Sequence, residues 1–269
     1  MVHEKHREGL KMRDPLVSIV IAAHNEERTI KRAIFSALNQ TYKNLQIIVV
    51  DDASTDNTYQ VARRIAENDE RIILLRNFEK LGPARSRNKG IKYAEGEYIG
   101  ILDADDWYHA QKIRHQISFL EKRPSYGILG TFCITIQPNG KALWTRLPRT
   151  HDEILKTMAY RNPFVHSSVV IRKNILEEVG YYNAKYRRAH DYDLYFRVIS
   201  RSKGANLPKY LCYRVEKAQS KKTMVESTLN SIIIPLRYWK ILKLNVIYYP
   251  LLIRRIAALI ILMLRREKH

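Results

Sequence analysis

Short apolar runs that alternate with helical patterns set the frame of this chain. Leu16 to Ala23 is almost continuously apolar, as a strand covered on both faces should be. The following segment places Ile30, Ala33, Ile34, Ala37 and Leu38 at i, i+3, i+4, i+7 and i+8, which is one face of a helix. Leu45 to Val50 predicts a second strand, ended by Asp51-Asp52-Ala53-Ser54. Ser54 or Thr55 is expected to cap the next helix, whose inner face is Val61, Ala62 and Ile65. Ile72 to Leu75, Ala84 to Ala94 and Glu97 to Leu102 then read as strand, helix and strand. Such a βαβ series predicts an α/β fold, a mainly parallel sheet flanked by helices.

Beyond this point the winding becomes less regular. Gly127 to Leu147 reads as a hairpin around Pro138-Asn139-Gly140, and Ser167 to Arg172 as a further strand. Tyr192, Leu194, Tyr195 and Val198 mark a helix. A smaller mixed β region is therefore expected, followed by a helical appendage over 221–269. Within the appendage, Val246 to Leu264 holds eleven Val, Ile or Leu residues and would span about 28 Å as a helix. That is close to a bilayer core, but Arg254 and Arg255 each cost about 2.5–3.5 kcal/mol at its centre. Pro250 weakens the helix further. An amphipathic segment lying at a membrane surface, anchored by Tyr248 and Tyr249, fits better than a span.

Composition narrows the setting. At 269 residues, 45% hydrophobic and 28% charged, the chain can bury a large core. Cys133 and Cys212 match no zinc spacing and suit a reduced intracellular location. Met1 to Asp14 is charged and lacks the apolar core of a secretion signal. The net charge of +20 is concentrated late: from Arg201 onward fifteen Lys or Arg face three Glu, a balance of +12. With the apolar tail, this points to an anionic membrane face. A cytoplasmic protein held peripherally at the membrane is expected, and a homo-oligomer is compatible with an apolar appendage that packs on a second subunit.

The chemistry concentrates at strand ends. Asp103, Asp105 and Asp106 follow the buried run Tyr98 to Leu102, at the edge where open α/β sheets bind ligands. Carboxylates so close together favour a hard divalent cation, Mg²⁺ or Mn²⁺, and through it a phosphate. Arg85, Arg87 and Asn88 open a helix, whose positive dipole end also favours phosphate. The first strand-to-helix turn, Ala22 to Thr29, contains no glycine, which excludes a dinucleotide fingerprint and a phosphate loop.

Five segments in order resemble family 2 glycosyltransferases of the GT-A (Rossmann-like) fold, over roughly residues 16 to 215. They are Val17 to Glu26, Ile48 to Asp56, Gly82 to Gly90, Asp103-Ala104-Asp105-Asp106 and His190 to Leu194. The resemblance implies a nucleotide diphosphate sugar donor, with UDP as the expected carrier. It places Ala22, His24, Asn25, Glu26, Asp52, Arg87, Asn88, Asp103 and Ala104 at the donor, with Asp52 accepting from the base. Asp105 is the implied ligand of Mn²⁺ or Mg²⁺, while Asp106 is expected to cap a helix starting near His109. Asp191 is the implied general base, its pKa raised among other anions, with inversion at the anomeric carbon. His190 stands where the family more often has Glu, and His166 and His190 are candidates for the acceptor side. The donor half is expected over 16–110 and the acceptor half over 111–220, after a tail over 1–15. A glycan or polyprenyl-linked acceptor suits the basic, apolar appendage. A nucleotidyltransferase, lacking the glycine-rich start, and a basic nucleic-acid-binding protein are the rival readings; neither explains Asp52, Asp105 and Asp191 together, and no nucleic-acid partner is expected of a transferase.

Overall fold

A computed structural model of the chain describes residues 14–217 and 220–239, with seven further positions between 253 and 263. Strand β1 (Val17–Ala23) lies between β2 (Leu45–Asp51) and β4 (Tyr98–Asp103), and β3 (Ile72–Arg76) continues the row beyond β2. All three pairings are parallel, with Ala22 opposite both Val50 and Asp103. The crossovers are α1 (Ile30–Leu38), α2 (Thr58–Ala66) and α3 (Pro83–Lys92). Each expected strand and helix of this half is present, and all five inner-face residues of α1 are buried.

The same sheet carries on through the second half. Beyond β4 come β8 (Val170–Arg172), β6 (Tyr126–Ile136), β9 (Lys203–Val215) and the short β5 (Trp107–Tyr108). β4 pairs antiparallel with β8, and β8 with β6. β6 and β9 run parallel, and β9 pairs antiparallel with β5. The expected hairpin is formed by β6 and β7 (Ala142–Thr145), with Gly140 at φ 80° in its turn.

Alternate residues of β1 and β2 face opposite layers, as a period of two dictates. Ile19, Ile21, Ile47 and Val49 meet α1, α2 and α4 (Lys112–Glu121). Val20, Ile48 and Val50 share the other core with α3, α5 (His151–Met158), α6 (Lys173–Val179), α7 (His190–Ile199) and α8 (Lys221–Tyr238). Tyr192, Leu194, Tyr195, Phe196 and Val198 of α7 are all buried, and large apolar side chains each contribute about 1.5–3 kcal/mol on burial. Asp193 is also buried. It pairs with Arg197 at 2.8 Å and accepts from Tyr238 Oη at 2.8 Å, which ties α8 to α7.

Two expected caps are not formed. Asn57 precedes α2 without a side-chain cap; Asp56 Oδ1 accepts from Thr58 N instead. Ser54 Oγ is turned back to accept from Asn25 N. Asp106 caps no helix, because α4 begins only at Lys112 and Asp106 is drawn into the sheet edge. No helix among the described residues is long and apolar enough to cross a membrane. Met1 to Arg13, and most of Val246 to Leu264 with Tyr248, Tyr249, Pro250 and Arg255, lie outside the described residues.

Candidate active site

The backbone marks the site before the side chains do. Asn25, Ala53, Tyr181 and Ala189 are the non-glycine residues with positive φ among the described residues, at 53–61°. Each costs of order 1–3 kcal/mol, and such strain persists where surrounding structure holds it. Three of them adjoin candidate site residues, His24 with Glu26, Asp52, and His190, and Tyr181 precedes Tyr182, whose main chain holds the Asn88 amide.

At the ends of β1 and β2, His24 Nδ1 donates to the Asp52 carbonyl at 2.8 Å. Asn25 Oδ1 accepts from Thr55 N at 2.9 Å, and Ser54 N donates to Asp51 Oδ2 in the turn that follows β2. Asp52 is 3% exposed. Its Oδ1 accepts from Asn77 Nδ2 and Leu81 N, and its Oδ2 from Gly82 N, at 2.8–2.9 Å. Burial alone would raise its pKa; these bonds outweigh burial and hold the carboxyl below its ordinary value. Ser86 adds to them from the side of α3. The anion at the start of α3 is thus Asp52 itself, while Arg85 is exposed to solvent. Asn88 exchanges both ends of its amide with the Tyr182 main chain, at 2.8 and 2.9 Å.

Arg87 joins two of the sequence segments. It is buried; Nη2 donates to Asp103 Oδ1 at 2.5 Å and Nη1 lies 2.8 Å from His190 Nε2. A guanidinium has no acceptor, so His190 Nε2 accepts and its proton sits on Nδ1. Burial, then Arg87, pull the His190 pKa down to about 3, keeping the ring neutral. His190 Nδ1 is buried with no partner among the described residues, which leaves a donor available at the site. Burial would raise the Asp103 pKa, but Arg87, His166 and His190 hold it well below the carboxylate range.

Asp191 stands in the first turn of α7, where Asn162 Nδ2 donates to its Oδ2 at 2.8 Å. His166 reaches Tyr195 Oη at 2.7 Å, and its ring lies 6.0 Å from that of His190. The structure thus brings Arg87, Asp103, His166, His190 and Asp191 into one cluster.

The three carboxylates after β4 do not share a single cation. Asp103 turns to Arg87, and Asp105 turns to Lys217. Asp106 is 5% exposed and accepts from Ser167 Oγ at 2.5 Å and from Val215 N at 3.2 Å. Burial, then the charges of Asp103 and Asp105, push its pKa up to about 8. A carboxyl whose folded pKa is raised stabilises fully below its unfolded pKa, and that contribution is lost as pH rises through the folded value. Asp106→Asn offers the same two partners an acceptor and a donor without the charge. In chelator-containing buffer its stability relative to the parent is expected to rise by roughly 1–2 kcal/mol between pH 6 and 8. Denaturant melts across that range check this; a flat difference would mean that Asp106 does not titrate there.

Lys217, just past β9, carries an ammonium 2.5 Å from Glu26 Oε1 and 2.9 Å from Asp105 Oδ2. Arg32 Nη2 donates to the Asp105 carbonyl at 2.7 Å and its guanidinium covers Trp107 at 3.9 Å. No three His, Cys, Asp or Glu side chains converge as a metal cage among the described residues. Cations that handle phosphates usually take one or two protein carboxylates and complete their shell with phosphate oxygens and water. Asp105 with Glu26 beside it fits that donor set, and the two already share a cationic group. Ala22 and Ala104 supply small side chains at adjacent strand ends. Asn162, Tyr182 and Lys217 stand in none of the five segments, and Tyr195 is legible in sequence only as an apolar position of a helix.

Residues 18–202 match the model of glycosyl transferase family 2. An uncharacterized glycosyltransferase of Methanocaldococcus jannaschii is 34% identical over 194 residues, covering 71% of this chain and 67% of that protein. The Escherichia coli UDP-Glc:alpha-D-GlcNAc-diphosphoundecaprenol beta-1,3-glucosyltransferase WfaP is 48% identical over 106 residues, 39% of this chain and 41% of that protein. S. aureus TarS 1-349 in complex with UDP-GlcNAc superposes with a TM-score of 0.65 at 18% identity, over 92% of this chain and 81% of TarS. The mannosyltransferase PcManGT of Pyrobaculum calidifontis, in complex with GDP-Man and Mn²⁺, gives 0.66 at 21% identity, over 91% and 75%. Strand ends, acidic turn and α7 all fall inside the matched region, and the chain belongs to glycosyl transferase family 2.

Proposed function

We propose that this chain is an inverting, metal-dependent hexosyltransferase that moves a sugar from UDP to a hydroxyl of a lipid-linked glycan. The observation that carries the reading is the Arg87 bridge, which unites the acidic turn after β4 with the start of α7 and sets Asp103 beside His190 and Asp191. Residues 16–110 would hold the donor. His24, Asn25 and Glu26 line the nucleoside with Ala22 and Ala104, and the Asp52 carboxylate, kept ionised by its hydrogen bonds, is an acceptor of the kind the imide N–H of uracil needs. Arg87 and Asn88 position that wall together with Asp103.

Asp105 would hold Mn²⁺ or Mg²⁺, which would supply Lewis-acid neutralisation of the charge on the departing diphosphate. Asp191, held by Asn162, takes the proton of the acceptor hydroxyl as its oxygen bonds to the anomeric carbon, and the bond to the nucleotide diphosphate breaks in the same displacement. His166 and His190, with residues 111–220 around them, face the acceptor; the His190 Nδ1–H is a donor for a sugar or acceptor oxygen.

A lipid-linked acceptor is supported by the substrate that WfaP's name states. It is supported also by the surface of α8, where Met224, Leu229, Ile233 and Leu236 are 42–47% exposed. Ile253, Ile256, Ile260 and Met263 are likewise exposed beside a run of basic residues. Apolar side chains flanked by lysine and arginine suit peripheral contact with an anionic membrane.

Calorimetric titration with UDP, with and without Mn²⁺, tests the donor site. Mn²⁺-dependent binding that Asp105→Ala abolishes is expected, followed by glucosyl transfer from UDP-glucose to GlcNAc-diphosphoundecaprenol. Binding of GDP or dTDP in place of UDP would overturn the donor base, and failure of all three would overturn the site.

A further inference from the structure

The Lys217 ammonium is a cation held where the preceding reading puts a cation. It bridges Glu26 and Asp105 at 2.5 and 2.9 Å, and its backbone is anchored. β9 ends two residues earlier at Val215, whose N–H donates to Asp106 Oδ1, and β9 pairs with β5 directly after the acidic turn. The sheet itself therefore delivers Lys217 to Asp105. Glu26 and Asp105 are the fixed partners, with side chains only 20% and 21% exposed. The second Glu26 oxygen accepts from Thr29 Oγ1 at 2.8 Å, and Arg32 holds the Asp105 carbonyl. Lys217 is the movable one, 51% exposed on a flexible four-carbon stem.

We infer that Lys217 is the resident counter-cation of the donor site: it occupies Asp105 in the free protein, competes with the divalent cation, and yields when a nucleoside diphosphate arrives. This rests on reading Asp105 as the cation ligand. A divalent ion that arrives alone meets two carboxylates already half neutralised. When the diphosphate is bound, its oxygens offer the ammonium an alternative partner and Asp105 is released. Metal and donor then favour each other, and the coupling is reciprocal. Half-exposed charge pairs are weak, so the exchange is easy and reversible.

The test titrates Mn²⁺ alone, UDP alone and both together into the full chain, for the parent, Lys217→Met and Lys217→Arg. Lys31→Met serves as a control that removes one lysine charge from α1 without touching either carboxylate. Lys217→Met is expected to bind Mn²⁺ alone roughly 3- to 10-fold tighter, and UDP should then improve its Mn²⁺ affinity by correspondingly less. Lys217→Arg and Lys31→Met should behave as the parent. Equal Mn²⁺ affinity in the parent and Lys217→Met, or an equal gain in Lys31→Met, overturns the inference while Mn²⁺-dependent UDP binding by the parent leaves the donor site standing. If the parent binds no Mn²⁺ even with UDP, the assignment of Asp105 and the inference fall together.

Discussion

Asp191→Asn is expected to lower the transfer rate by about 10²–10⁴-fold with UDP affinity retained. The substitution keeps the size and the hydrogen bond to Asn162, which at 2.8 Å fixes the carboxylate at the start of α7. It removes the ability to take a proton. A group that acts only in the transition state lowers kcat and kcat/KM together, so the KM for donor should not move. Asp191 belongs to α7 and not to the ends of β1 and β2 proposed for the nucleoside, which is why UDP titrations should be indifferent to it. Retention of substantial transfer would transfer the base role elsewhere, and loss of UDP binding would put Asp191 in the donor pocket.

Arg87→Met is expected to cost about 2–3 kcal/mol of stability, a fall in Tm of roughly 4–12 °C. The change strips Asp103 of its ion pair and His190 Nε2 of its donor in one step. The Asp103 side chain is 29% exposed, so water offsets part of the penalty that a fully buried orphan charge would carry. The pH dependence has a definite sign. Asp103 has a depressed pKa in the folded chain, so its contribution is present above the ordinary carboxylate pKa and lost as pH falls through the lower folded value. The gap between parent and Arg87→Met should be full at pH 7 and close as pH falls below about 4. Denaturant melts at several pH values measure it. A gap that stayed constant would mean that the arginine stabilises by packing rather than by charge.

The parallel half of the fold is legible in sequence because its determinants are local. A strand covered on both faces must be apolar almost throughout, and β1 and β2 are, with Ser18, Gln46 and Asp51 as the polar positions. A crossover helix must show a 3.6-residue stripe, and α1 does. The position of Asp52, Asp103 and Asp191 at element ends follows from the same periodicity, and the order of the motifs carries the family. Composition likewise places the basic charge late in the chain.

What the side chains do at those positions depends on partners far away in the chain, and only the tertiary structure decided it. Asp103, Asp105 and Asp106 are one residue type within four positions. They differ because Arg87 reaches the first from α3, Lys217 reaches the second from the end of β9, and Ser167 with Val215 enclose the third. The His190 tautomer is set by the same arginine, and Asp191 is held by Asn162, which no motif contains. Periodicity records which face of an element is buried. Charge state, tautomer and counter-ion depend on the distances that the sheet imposes between segments that lie apart in the chain, by 16 residues for Arg87 and Asp103 and by 109 for Asp106 and Val215.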